Sequence, residues 1–337
     1  MRLAPLFTAI ILCLTIMPAV FTQSTLGQEQ EDKGIVVACS LPDFVPIVLE
    51  VVGERGEAFS VLPPGMDPHS FVLTSDDLNS LKNADIIVLA NSKFLNFESK
   101  IRENFPNKTY VDFDDYKSHG LKLLSFPGCN NCVHGYWLYL DNAIAIARAV
   151  CDAVVNIDAN YENYYCQNCD RFVNDILRTK GDIEKIADEC GIAGDEVVTA
   201  VPGVNYVVEN SCMIVGNTIV MEGGATPSAG RIAEIEDGLK SGKYRAIICP
   251  DINIKVCDIA MQVSEDTGAP VIRVRFLSNE STDYISMSYY NAAMLASLGT
   301  VYKGSECSLY LYSTIALTIV AIAELAILIM CRRVRRI

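Results

Sequence analysis

The sequence predicts an α/β protein of two lobes, each a parallel-sheet α/β sandwich, followed by a C-terminal transmembrane helix. Short apolar and β-branched runs such as Ile35-Val36-Val37-Ala38-Cys39 alternate with helical spacings, the pattern of parallel strands whose crossovers are helices. The alternation runs through the chain twice, on either side of a long helical stretch, and the intervening length suits two lobes better than one. Near the end, Leu309–Met330 is apolar with only Glu324 charged, and Arg332-Arg333-Val334-Arg335-Arg336 follows it. Roughly 20 apolar residues span a bilayer, and a basic cluster marks the cytoplasmic side.

Taken in order, residues 1–23 have one arginine, an apolar centre and small polar residues after it, the form of a secretory signal peptide. Residues 24–33 are polar and acidic and read as a linker. The N-terminal lobe, 34–158, carries strand runs at 34–39, 57–62, 85–90 and 108–111. Phe44–Val52 is an apolar helix. Thr74-Ser75-Asp76-Asp77 offers caps and early acids to a helix marked by Leu78, Leu81 and Ala84. A helix covers 141–157, and a second helical pattern runs from Asn160 to Cys190, broken at Gly181. The C-terminal lobe, 193–305, repeats the alternation. Its strands are expected at 196–201, 218–221, 246–249 and 270–274, and its helices at 227–240, 254–267 and 283–298. With an anchor at 309–331, the lobes stand outside the cytoplasm, tethered to the cell membrane.

The formal net charge of −14 argues against nucleic-acid binding and suits an outer surface or the attraction of cations. Thirteen cysteines are many; with Cys13 and Cys331 in the flanking segments, an odd number is left between them. Outside the cytoplasm cysteines usually pair, so an odd count leaves a free thiol or a metal-bound set. No GxSxG, HExxH or kinase signature is present, so an enzyme is not expected.

The stretch Val61-Leu62-Pro63-Pro64-Gly65-Met66-Asp67-Pro68-His69-Ser70-Phe71 is the densest in information. Prolines and a glycine stiffen a loop between a strand and a helix, where α/β proteins carry their sites, and His69 is one of three histidines in the chain. PPGMDPHSF, followed by SDDLNSLKNADIIVLANSKFLNFE, resembles the first metal-ligand segment of the solute-binding receptors of zinc and manganese ABC importers. The order of segments through HGYWLYLDNAIAIARAV, TPSAGRIAEIEDGLKSGKYRAIICPD and DTGAPVIRV extends the likeness over 35–300. The resemblance implies a rigid spine helix, 159–192, joining the lobes. It implies His69 as one ligand and His134, at the start of HGYWLYLDN, as the second. His119 matches no ligand and reads as a surface residue.

The second lobe departs from the pattern. Where relatives have a third donor after a strand, this chain has Val201. Where they have an aspartate, it has Ser278, with Asn279 and Glu280 beside it; Glu280 is the candidate second-lobe ligand. Two histidines alone are a weak set for zinc, which prefers four donors. Cys129-Asn130-Asn131-Cys132-Val133-His134 and the helical pair Cys166 and Cys169 offer either thiolates for a metal or disulfides. The function expected is an extracytoplasmic receptor, monomeric, delivering a divalent cation to an ABC permease. The cation is zinc first, with manganese or iron as the others. Two alternatives stay open: a cysteine-based redox or metal-storage protein on the same scaffold, and a degenerate receptor for a partner protein.

Overall fold

The computed structural model describes residues 34–221, 227–252, 255–276 and 282–302. Strand β1, Ile35–Cys39, leads through Ser40-Leu41-Pro42-Asp43 into α1, Phe44–Val52, whose apolar residues are buried almost throughout. Strand β2, Gly56–Ser60, is followed by a long loop and α2, Ser75–Asn83. Thr74 caps this helix: its hydroxyl accepts from the Asp77 N–H at 3.2 Å, and the Asp77 carboxylate accepts from the Thr74 N–H at 2.8 Å. Then come β3, Ile86–Val88, α3, Asn96–Asn104, β4, Thr109–Val111, and α4, Phe113–Ser118. All pairings are parallel in the order β2-β1-β3-β4, so the loops after β2 and β3 emerge at one edge, the carboxyl ends of the strands.

Helix α5, Leu140–Ile157, and helix α6, Glu162–Cys190, follow. The sequence break expected at Gly181 is absent: α6 runs unbroken for 29 residues. Nothing lies within 4 Å of where a Gly181 Cβ would stand, so the glycine faces open space and costs only its intrinsic propensity, about 1 kcal/mol.

Beyond α6 the first topology is repeated. Strand β5, Glu196–Thr199, α7, Asn205–Asn210, β6, Ile214–Thr218, α8, Ala229–Lys240, and β7, Ile247–Pro250, lead to α9, Lys255–Thr267, β8, Val271–Val274, and α10, Tyr284–Tyr302. The parallel order is β6-β5-β7-β8. The strand expected at 218–221 lies earlier, at 214–218, because Ile214, Val215, Asn217 and Thr218 are the residues in register with β5. The larger buried cluster joins the first sheet, α5 and α6 to Tyr206, Tyr284, Met287 and Leu295 of the second half.

The transmembrane part of the expected fold is corrected. Among the described residues no helix is long and apolar enough to cross a membrane, and 309–331 lies outside them. The described architecture is two parallel-sheet lobes with no membrane-spanning helix. The expected signal peptide and linker, residues 1–33, also lie outside the described residues.

One buried acid sets a pH dependence. Glu98 of α3 is fully buried and its carboxylate accepts from the N–H groups of Ala90 and Asn91 at 2.8 and 2.7 Å, fixing the loop after β3. Burial pushes its pKa up to about 7, against the opposing hydrogen bonds. The folded chain then holds the proton more tightly than the unfolded one. The stability from this group is therefore full below the ordinary carboxyl pKa and is lost as pH rises through about 7. Thermal melts at pH 5 and pH 8 should show a fall for the wild-type chain and a smaller one for Glu98→Gln.

Candidate metal centre

The loop after β2 is rooted where Val61 and Leu62 N–H groups donate to the Cys39 and Ser40 carbonyls, at 2.8 and 3.1 Å. Successive turns follow: Met66 N–H donates to Pro63 O and Ser70 N–H to Asp67 O, at 3.2 and 3.3 Å. The Asp67 carboxylate accepts from the His69 N–H at 3.0 Å, which sets the direction of the histidine backbone. His69 is exposed on this loop and His134 is half-buried.

The two imidazoles lie side by side, ring centres 5.6 Å apart and planes 45° apart. Phe94, on the loop after β3, stands edge-on to both, at 5.5 Å from His69 and 5.2 Å from His134. With metal–nitrogen bonds of about 2.0–2.1 Å, two imidazoles on one tetrahedral ion have ring centres about 5 Å apart. The observed spacing is thus close to that of a shared ion.

His134 closes a compact loop. Phe126 and Cys129 exchange two backbone hydrogen bonds of 2.9 Å, and the Cys132 N–H donates to Leu124 O at 2.8 Å. The Cys129 and Cys132 sulfurs lie at bonding distance, with Cα atoms 5.1 Å apart, and both residues are buried. The Cys129 Sγ is 4.0 Å from His134 Nδ1. The donor atoms of Cys129, Cys132 and His134 all fall within 4.8 Å of one another. Gly135 turns the chain with φ of 70°, and a methyl group there would collide with the Gly203 carbonyl, so the loop touches the second lobe backbone to backbone. Past it, Trp137 Nε1–H donates to the buried Asp43 carboxylate at 2.8 Å, and the Trp137 ring stacks on Phe276 at 6.1 Å.

Tyr206 of α7 fastens this loop from below. Its hydroxyl donates to Cys132 O at 2.7 Å and accepts from Leu124 N–H at 2.9 Å. Burial pushes its pKa up to about 12, so it stays a neutral donor and acceptor. Asn210 adds two bonds, donating to Leu138 O at 2.7 Å and accepting from Leu140 N–H at 3.2 Å.

The structure brings His69, His134, Cys129 and Cys132 to one place and leaves the other candidates elsewhere. Cys166 and Cys169 lie on α6 beside Cys151 of α5, the Cys151 and Cys166 sulfurs 4.0 Å apart, and take no part in the histidine cluster. His119, at the end of α4, pairs with Asp152 at 3.1 Å. Val201 stands at the carboxyl end of β5 in extended backbone, ahead of Pro202-Gly203-Val204. Ser278 and Glu280 lie outside the described residues. Sequence reasoning missed Phe94 and Tyr206. Phe94 falls within a motif segment, but only its place after β3 reveals its role, and Tyr206 carried no signal at all.

Residues 37–298 match the family model described as zinc-uptake complex component A, periplasmic. The chain belongs to this family, whose members are metal-binding solute-binding receptors of ABC importers and not enzymes. It is 22% identical over 312 residues to a manganese ABC transporter substrate-binding lipoprotein of Streptococcus mitis, covering 86% of this chain and 97% of that one. It is 19% identical over 170 residues to the manganese-binding lipoprotein MntA of Halalkalibacterium halodurans, covering 50% of this chain and 55% of that relative. The match thus spans only about half of that relative's length. A crystal structure of ZnuA superposes with TM-score 0.68 at 17% identity over 79% of this chain and 99% of its own, which places the two-lobed fold.

Tyr206→Phe should leave the Leu124 N–H and Cys132 carbonyl without their partner and cost about 1–3 kcal/mol of stability. Denaturant unfolding of the two chains checks this, and an unchanged midpoint would mean that the Tyr206 hydroxyl does not hold the loop.

Proposed function

We propose that the chain is an extracytoplasmic receptor that binds a divalent cation, zinc by preference, between His69 and His134 and delivers it to an ABC permease. The observation that carries this is the pair of imidazoles 5.6 Å apart on loops at the carboxyl ends of one sheet. Family membership supports the permease as partner and an address outside the cytoplasm. The relatives' names divide between zinc and manganese. Imidazole suits zinc, whereas carboxylates suit manganese, and no carboxylate joins the histidine cluster among the described residues. Manganese and iron come second for that reason. We further propose a signal peptide over 1–23 and lobes at 34–158 and 193–305 about the 159–192 spine; Glu280 is the residue to test should the ion draw a ligand from the second lobe.

Capture is a matter of coordination alone. A neutral imidazole on each loop offers one lone pair, and the edge of Phe94 limits how the rings can turn away. Metal content and competition titration of the purified chain test the reading. The wild-type chain should bind one equivalent of zinc. His69→Ala/His134→Ala should weaken binding by on the order of 100-fold or more, since both nitrogen donors are gone. Undiminished affinity in the double variant would overturn the site.

Metal loading should change lobe separation little. The His134 loop is already fixed to the second lobe through Tyr206, Asn210 and Gly203. An ion shifts a conformational equilibrium only through contacts that differ between its states. Small-angle scattering of metal-free and zinc-loaded chain should give the same radius of gyration. A contraction would point to a second-lobe ligand, with Glu280→Ala the variant to follow.

A further inference from the structure

The histidine pair is only half of a zinc coordination shell, and the second lobe presents Val201 where a third donor is expected. Two more donor atoms lie against His134 in the first lobe, and they are bonded to each other. We propose that reduction of the Cys129–Cys132 pair creates a four-donor Cys2His2 site, so that the chain's grip on a borderline or soft divalent cation is set by the redox state of this loop. The inference rests on the histidine site proposed above.

The geometry supports it in three ways. Cys129 Sγ is already 4.0 Å from His134 Nδ1, and the donor atoms of both cysteines and His134 lie within 4.8 Å of one another. Donor atoms on one tetrahedral zinc are about 3.3–3.8 Å apart, given bonds of about 2.0 Å to nitrogen and 2.3 Å to sulfur, so after reduction the two sulfurs must part while their distances to the imidazole shorten slightly. His69 stands outside that three-residue set but alongside His134, ring centres 5.6 Å apart, from where it would move in as the fourth donor. The loop between the cysteines has the means to adjust, since Asn130 and Asn131 are exposed and Asn131 sits in the left-handed region at φ of 45°. Cys166 and Cys169, by contrast, are remote from any histidine in the cluster.

The redox step balances with a dithiol as reductant. One of its sulfurs attacks the Cys129–Cys132 bond, that bond breaks, and the dithiol closes to its own disulfide. Two electrons and two protons have passed to the protein, where Cys129 and Cys132 are now thiols. A divalent cation then displaces both thiol protons to solvent as the thiolates bind it. Both cysteines are buried, so the dithiol reaches them after the exposed Asn130-Asn131 turn opens. In the oxidised form the ion has His69 and His134 alone and leaves readily. In the reduced form it has four ligands, all from the first lobe, and is retained.

Cobalt(II) reports the two states separately, because a thiolate ligand adds an intense charge-transfer band that imidazole lacks. The full chain is titrated with cobalt as purified, and again after reduction with a phosphine that is removed by gel filtration. Cys129→Ser/Cys132→Ser is treated in the same way. The expected result is weak, histidine-type absorption in the oxidised chain. The reduced chain should show a charge-transfer band and affinity higher by on the order of 100-fold, as two added ligands in a four-coordinate site imply. The double variant should bind as the oxidised wild type does under both conditions, which also shows that it is folded. A band of equal strength in the reduced double variant would assign the sulfur to other cysteines and overturn the proposal. So would an unchanged spectrum and affinity on reducing the wild type, although the histidine site would then stand. No cobalt bound in either state would remove the histidine site and this inference together.

Discussion

The Tyr206 hydroxyl is the point on which the rest of the site depends. A single buried O–H holds the two ends of the cysteine loop, one through Leu124 and one through Cys132, from a helix that belongs to the other sheet. Desolvation keeps it protonated, and a neutral phenol is the only state that can donate and accept at once. His134 owes its place to this bond and to the backbone contact of Gly135 with Gly203. The imidazole proposed as a ligand is therefore carried by the first lobe but positioned by the second.

That division has a consequence for how an ion is held. In a receptor that closes on its cargo, each lobe supplies ligands, and the ion is the bond between them. Here the loop is joined to the second lobe by protein contacts of its own, through aromatic packing of Phe126 and Tyr139 on Tyr206 and through Trp137 on Phe276. At the carboxyl end of β5 the second lobe offers a valine, a proline and the bare backbone of Gly203. Its contribution among the described residues is mechanical: it fixes the angle at which His134 meets His69.

Much of the fold was legible because parallel sheets advertise themselves. Strands buried on both faces read as unbroken apolar runs, and Ile86-Ile87-Val88 or Ile247-Ile248-Cys249 cannot be mistaken for amphipathic helix. The α2 start was legible from Thr74 and Asp77, a capping box with a known spacing. The β6 position was not, because Gly216-Asn217-Thr218 divides two apolar runs, Ile214-Val215 and Ile219-Val220-Met221, and only pairing with β5 decides which of them stays in the sheet. Gly181 misled because propensity is a local cost, while α6 is held along its length by α5 and α10. The apolar run at 309–330 predicted a spanning helix that no described helix supplies. His69 and His134 were found through motif segments. Phe94 and Tyr206 were not, since an aromatic ring carries no label for what it will touch.

Exposure of the two histidines completes the physical picture. His69 stands at the surface and His134 is only half-buried, so an ion between them keeps part of its water shell and pays little for desolvation. Such a site exchanges its ion quickly unless further ligands displace that water. The donors nearest at hand are sulfurs that are silent while bonded to each other and, on our proposal, would become ligands once parted. On that proposal, retention and release would be separated in one lobe by chemistry at a single loop, with no change in the distance between the sheets. If the chain is the receptor proposed, such a device would suit it, because parting the lobes would require breaking the Tyr206 and Asn210 hydrogen bonds that hold the His134 loop in place.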